Sequence, residues 1–343
     1  MKIILICLSL AILIIGISLS YFFFKNKKTE DEKKRKKYKR IIKFFKAYKI
    51  LHFCKKNKDV QILKNFHEAI SSINISNVFN PSFYIDEKVK VFTFRAIPKR
   101  EKSLQSFVFI EDKKGYSIMN ISLEYSKKLG VNQLIDPKVI KDEEDIYITF
   151  NSGWNKNGNE IFIMKIYPDT CSPKKIIYKN RQKNERNWAF FFEKDKMYAL
   201  YWINPLKILH LKSKSEHNYE FEDFYSDKEL NTKINKDLTI GTQLYKKDSI
   251  YYFVAHKKLF FLRKKIYLGR FCSFDFKNKR ISTGKKWLAH SFKSLFGSKT
   301  KHNTNLFSCT YFSGLQIKDK HVILGYGIND VEAGFSRHKI EEL

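Results

Sequence analysis

Three carboxylates and three basic side chains mark where this chain of 343 residues could do chemistry. Asp136 stands at the start of an expected strand and precedes Pro137, which biases its backbone to an extended form. A carboxyl group so placed is a candidate general acid. Glycosyl transfer through an oxocarbenium-like state needs one, because a proton must reach the leaving oxygen. Asp330 is the candidate second catalytic carboxylate, and Glu332 a partner for a sugar hydroxyl. Two positions apart, they share a face if the strand continues; Asp330 directly after Asn329 is equally a turn former. Arg95, Lys138 and His256 suit a phosphate or a diphosphate, since fixed cations stabilise charge that develops on a leaving group. Trp188 and Tyr267 are candidate platforms for a sugar ring, although aromatic residues of a β core more often only pack.

These residues recur within one pattern. Asn80-Pro81 and Asp136-Pro137 each open a short apolar run, then a charged turn (Asp86-Glu87-Lys88, Lys141 to Asp145), then a second run. Asn187-Trp188, Gly241-Thr242-Gln243 and Phe312-Ser313-Gly314 open three more copies. Each reads as two strands around a tight turn. Five copies about fifty to seventy residues apart are the signature of radial repetition. The expected fold is mainly β: a five-bladed β-propeller over residues 77–343. The 16% aromatic content agrees, with 31 Phe and 19 Tyr favouring strands over helices. Second strands end on polar residues, namely Arg95, Asn151, Asn204, His256 and Asp330. Blades set around an axis bring equivalent positions to one central pocket.

Several of these segments carry a resemblance. Asn80-Pro81, Asp136-Pro137-Lys138, Val254-Ala255-His256, Tyr267-Leu268-Gly269 and Gly325-Tyr326-Gly327-Ile328-Asn329-Asp330 resemble the five-bladed β-propeller glycosidase-like superfamily. Its branch of mannoside phosphorylases and related mannosyltransferases is nearest. There a Glu-Asp-Pro-Arg motif supplies the catalytic acid, and a His closes a strand near the phosphate or donor site. This chain has Ile135 in place of the Glu and Lys138 in place of the Arg. A lysine attracts a phosphate as a point charge but lacks the forked contact of arginine. Glu185-Arg186-Asn187-Trp188 and Gly241-Thr242-Gln243 are also similar to propeller domains found beside bacterial glycosyltransferases, which adds Asn187 and Gln243 to the substrate-binding set. The resemblance implies a carbohydrate substrate, with a phosphate or nucleotide-sugar donor. It implies transfer or cleavage of a glycosyl unit in surface glycan assembly, or a sugar-binding or scaffolding propeller without catalysis.

Other classes are set aside on composition and motifs. No phosphate-binding loop, dinucleotide fingerprint, metal-ligand cluster or nucleophile elbow occurs in the sequence, so neither cofactor nor metal is expected. Five unpatterned cysteines suit a reducing compartment. Much of the net charge of +31 lies between Lys25 and Asn65, where 17 Lys and Arg stand against 4 Asp and Glu. With no basic, aromatic stripe elsewhere, nucleic acid is not an expected partner.

The N-terminus predicts a membrane anchor. Residues 3–24 form an uncharged apolar run of 22 residues, against roughly 20 needed to span a bilayer. A signal peptide cleaved near Ser18-Leu19-Ser20 is the alternative. Lysines follow the run far more densely than they precede it, which places a single-pass protein's globular domain in the cytoplasm. Residues 25–76 then read as a basic helical linker, amphipathic from Lys33 onward, with a second helix around Asp59 to Ser72. The basic face would lie on anionic lipid or simply remain solvated.

Overall fold

The computed structural model describes residues 52–54, 61–71, 73–99, 103–185, 187–234, 236–261, 264–290 and 303–343, with the isolated helical positions 32, 36, 39 and 43. The chain divides into two units, residues 1–50 and 51–343. The second is mainly β and propeller-like.

Charged turns punctuate apolar runs, and the chain folds back at each one. Meander I comprises β2 (Ile75–Ile85), β3 (Val89–Pro98), β4 (Gln105–Asp112) and β5 (Gly115–Asn120). Meander II comprises β6 (Ile135–Asp142), β7 (Asp145–Asn151), β8 (Ile161–Tyr167) and β9 (Lys174–Tyr178), and meander III β10 (Ala189–Glu193), β11 (Lys196–Ile203), β12 (Leu206–Lys214) and β13 (Asn218–Ser226). Meander IV is built from β14 (Leu238–Ile240), β15 (Tyr245–Lys247), β16 (Ile250–Phe261), β17 (Lys264–Asp275) and β18 (Arg280–Ala289). Meander V has β19 (Leu306–Lys318), β20 (His321–Ile328) and β21 (Glu332–Lys339). All five repeats found in the sequence are hairpins at the start of a meander. At the hairpin turns Glu143, Lys194, Asp195, Asp248 and Asp319 take left-handed backbone angles, as tight reversals demand.

Side-chain hydrogen bonds between neighbouring first strands join the meanders into a ring. The Val139 amide donates to Ser82 Oγ at 3.0 Å, joining II to I. Gln243 unites three meanders: its Oε1 accepts from the Phe190 amide at 2.8 Å, and its Nε2 donates to Thr149 Oγ1 at 3.0 Å and Trp188 O at 3.1 Å. Tyr245 OH donates to Ile317 O, joining IV to V. Ser313 Oγ donates to Pro81 O at 2.8 Å, so the last meander meets the first. Such bonds leave the small, buried polar residues of the inner strands satisfied.

Apolar seams between meanders supply the core. Val89, Val91 and Val108 of meander I pack with Ile146, Ile148, Phe150 and Phe162 of meander II. Helix α1 (Gln61–Ser71) packs on meander I and on β21 of meander V, because Ile62, Phe66 and Ala69 fall on one helical face. Phe66 lies 5.4 Å from the ring of Phe92 and 5.2 Å from that of Phe335. Burying such a side chain is worth about 1.5–3 kcal/mol.

Two expectations change here. His52, read with the amphipathic helix, is instead in a short strand, β1 (His52–Phe53), paired parallel to β18. The membrane localisation is also corrected: among the described residues no helix is long and apolar enough to cross a membrane. The longer of the two named helices, α1, has 11 residues and α2 (Ile121–Tyr125) has 5, against roughly 20 for a span. Residues 3–24 lie outside the described residues, and so does most of the linker.

Candidate functional site

Irregularities at the starts of the inner strands create the site. Register slips in β2 between Phe79 and Ser82, and in β6 between Ile135 and Lys138. The slipped residues are Asn80-Pro81 and Asp136-Pro137, the repeated motif. Asn80 has φ +52° and Asp136 φ +53°, so Asp136 is left-handed, where its proline neighbour alone predicts extended backbone. The bulge overrides that preference, turning the side chain aside and storing strain of a kind common at functional sites. A matching slip lies in β19 between Phe312 and Gly314.

Every meander contributes to the cluster that results. Arg95 Nη1 of β3 reaches Asp136 Oδ1 of β6 at 3.3 Å, with both side chains largely buried. Lys138 is only 2% exposed. Its Nζ donates to Asn187 Oδ1 at 3.2 Å, ahead of β10, and to Gly241 O, ahead of the turn into β15. Tyr311 of β19 donates to the same Asn187 oxygen at 3.1 Å, and its ring centroid lies 4.5 Å from that of His256 of β16. Gly241 is required by this packing, since a Cβ there would stand 2.4 Å from Val254 O and 2.9 Å from His256 Nε2.

Burial sets the charges. It lowers the Lys138 ammonium to about 8, a drop only partly offset by Asp136, because desolvation disfavours the charged form. His256 is lowered to about 3, first by burial and then by Lys138. Its Nε2 accepts the Phe312 amide at 2.8 Å, which puts the ring proton on Nδ1 of a neutral imidazole. His256 therefore meets the cluster as a neutral ring, and the cationic side chains there are Arg95 and Lys138.

The remaining sequence candidates fall in different places. Asp330 does not share a continuing strand with Glu332. Asn329 and Asp330, at φ +53° and +56°, form the turn between β20 and β21, with the Val331 amide bonded to Ile328 O. That turn separates the half-buried Asp330 from the exposed Glu332. Asp330 and Asp136 nonetheless both act on the buried Cys309 thiol, raised chiefly by burial and further by these two carboxylates. Tyr267 is half-buried in β17, in register with Cys309. Gln243 spends its amide on the ring bonds given above. Trp188 is 3% exposed and packs with Tyr178, Phe190, Tyr201 and Phe221. Of the five polar strand ends, Arg95 and His256 enter the cluster, whereas Asp330 stands in the turn between β20 and β21. Asn151 and Asn204 instead tie loops, bonding to Gly153 and to the 231–234 segment.

Sequence reasoning missed Tyr311 and Asn80. Asn80 Oδ1 and Arg95 Nε are both buried without a hydrogen-bond partner, capacity that the fold itself leaves unused. The parallel between Asn80-Pro81 and Asp136-Pro137 was the available signal for Asn80. Tyr311 gave none, because an aromatic at a strand start reads as core. Among the described residues no cluster of His, Cys, Asp and Glu is placed to hold a metal ion.

Solved structures share this architecture. A glycosyl hydrolase from Bacteroides ovatus aligns over 86% of this chain and 96% of its own, with TM-score 0.55 and 11% identity. The chain has a glycosidase-like β-propeller fold. The propeller is also similar to a structure reported for the mannoside phosphorylase family, which contains hydrolases that target β-1,2 mannosidic linkages in Candida mannan: 85% and 95% of the two chains, TM-score 0.54, 13% identity. A β-1,2-mannobiose phosphorylase from Listeria innocua covers 78% of the propeller chain and 91% of its own, with TM-score 0.50 and 11% identity. No protein-family model and no curated protein matches the chain. At these identities the likeness is one of fold.

Proposed function

We propose that this protein is a glycosyl-cleaving or glycosyl-transferring enzyme whose reaction takes place in the cluster around Asp136 and Lys138. Asp136 is the candidate acid, and Asp330 the second carboxylate. Arg95 and Lys138 would hold an anionic group such as the phosphate of a sugar 1-phosphate or an activated donor. The observation that supports this best is Lys138: a buried ammonium whose partners are a neutral amide, a carbonyl and an aromatic face. A cation so desolvated attracts an anion far more strongly than one in water. Its domain is proposed as residues 77–343, with the five meanders as blades around one axis and the cluster at the starts of the inner strands.

A sugar-binding propeller without turnover is the second reading. It is favoured by Ile135, which stands where the phosphorylase motif has a glutamate, and by the ion pair that occupies Asp136. One experiment separates the two. The full-length protein is screened with sugar 1-phosphates, nucleotide sugars and β-linked oligosaccharides, following product by chromatography and binding by calorimetry. Turnover that disappears in Asp136→Asn supports the enzyme. Saccharide binding with no product from any donor supports the binder.

A further inference from the structure

A second cavity opens beside the cluster, between meanders III and IV. Its volume is about 450 Å³, within the roughly 300–1,000 Å³ of small-molecule sites. Trp188, Tyr201 and Trp202 form its aromatic side; Asn184, Asn187 and Lys236 supply polar groups. Asn187 belongs to both places, lining this cavity while its Oδ1 accepts from Lys138 and Tyr311.

The aromatic side is built with care for orientation. Glu185 is nearly buried, its side chain 9% exposed. It accepts from Trp188 Nε1 at 3.0 Å, from Tyr201 OH and from the Gln182 amide at 3.1 Å, while Arg181 Nε stands 3.7 Å away. One carboxylate thus pins two of the three rings. The third is Trp202, 38% exposed and in contact with Tyr201 at 4.9 Å between ring centroids. Lys207 Nζ is 5.7 Å from the Trp202 ring and 5.6 Å from that of Tyr201. A register slip between Leu200 and Trp202 marks the strand at this point, a device that re-aims side chains beside sites. A core needs no partly open tryptophan held among pinned rings and amides. A pyranose does: its apolar face lies on an aromatic ring while amides meet its hydroxyls.

We propose that this cavity binds a second sugar ring of a saccharide whose first ring occupies the Asp136–Lys138 cluster, with Trp202 as its platform. The proposal rests on the carbohydrate reading above and adds where a chain of two or more rings runs. Asn187, shared by both places, marks the passage between them. Trp202 then sets the preference for saccharides over monosaccharides.

The test compares one-ring and two-ring ligands on the full-length protein. Methyl glycosides and the corresponding β-linked disaccharides of mannose, glucose and galactose are titrated by calorimetry into wild type, Trp202→Ala, Trp202→Phe and Lys138→Met. Wild type is expected to bind a disaccharide more tightly than its methyl glycoside. Trp202→Ala should cut that gain about tenfold, and Trp202→Phe should keep most of it. Circular dichroism on each variant secures the comparison, since a partly exposed ring is removed with little loss of core. If saccharides bind and Lys138→Met weakens them, yet the gain is unchanged in Trp202→Ala, the cavity proposal alone is overturned. If wild type binds none of these saccharides, the carbohydrate reading falls and this proposal with it.

Discussion

Strand β6 carries a charged pair at each end, and the two ends are opposites. Near its start Asp136 faces Arg95, and Lys138 is enclosed by Asn187, Gly241 and Tyr311. Near its finish Lys141 and Asp142 line a cavity of about 430 Å³ reached by residues of all five meanders. Burial lowers both lysines. Lys141, however, is answered by Glu144, Asp86 and Asp145, whereas among the described residues Lys138 is answered by Asp136 alone. Asp142 is raised to about 6 by burial and then by Glu143, Asp145 and Asp195. Between the two ends runs the ring of hydrogen bonds centred on Ser82, Gln243 and Ser313. Turn chemistry governs the far end, where like charges crowd near solvent. Bulges and a desolvated cation govern the near end, where Asn80 Oδ1 and Arg95 Nε are buried without a hydrogen-bond partner.

The largest expected contrast is between two aspartates of this one strand. Under the enzymatic reading Asp136→Asn should lower turnover by about 10²–10⁴-fold, the range for loss of a general acid. Asp142→Asn, at the other end, should leave turnover as it was. Equal effects from the two substitutions, measured on the same donor, would erase the distinction between the ends.

Next comes the ring that keeps the ends apart. Gln243→Ala removes three bonds and strands the buried Phe190 amide, so unfolding in urea should become easier by about 1–3 kcal/mol. Were Gln243 instead a ligand group, the variant would keep its stability and lose saccharide affinity.

How much of this was legible follows from which forces leave local marks. The five hairpins were, because apolar runs and charged turns are written in consecutive residues. Helix α1 was too, within two residues of its predicted start and one of its end. Asp136 and Lys138 could be picked out because charge at a strand start is conspicuous, and Arg95 because it is a charged residue near the end of an apolar second strand. The fate of Gln243 and Trp188 could not be read, since an amide or indole looks the same whether it meets a ligand or a neighbouring strand. For Asp330 the sequence left a continuing strand and a turn equally open, and two left-handed residues make it the turn. The bulge at Asp136-Pro137 was likewise invisible: it depends on how β6 registers with β7, a long-range property.

A third prediction uses the buried charge of Lys138. Because its ammonium is lowered to about 8, it is charged at pH 7 and neutral at pH 9. Affinity for a sugar 1-phosphate should hold below pH 8 and fall by up to about tenfold per pH unit above it. The Lys138→Met variant should bind weakly with no such bend. A flat wild-type profile across pH 7–9, by calorimetry, would mean that the anion is held elsewhere.

The smallest effect belongs to the far end and has the opposite sense. Asp142 titrates near pH 6 in the folded protein, raised from 3.8 by burial and neighbouring carboxylates. Between those values the folded state holds a proton that the unfolded state has lost. Stability therefore falls as pH rises through the window, and the penalty is complete above it. Asp142→Asn should remove that penalty, stabilising the protein at pH 7.5 and changing nothing near or below pH 4. Two pKa units correspond to roughly 3 kcal/mol, but Asp142 is only half-buried, and solvent screening cuts the expected gain to about 1 kcal/mol or less. In a domain of this size that is a rise of about 2 °C in Tm. A variant equally stabilised at both pH values would owe its gain to something other than charge, and the crowding of carboxylates at the far end would then carry no energetic weight.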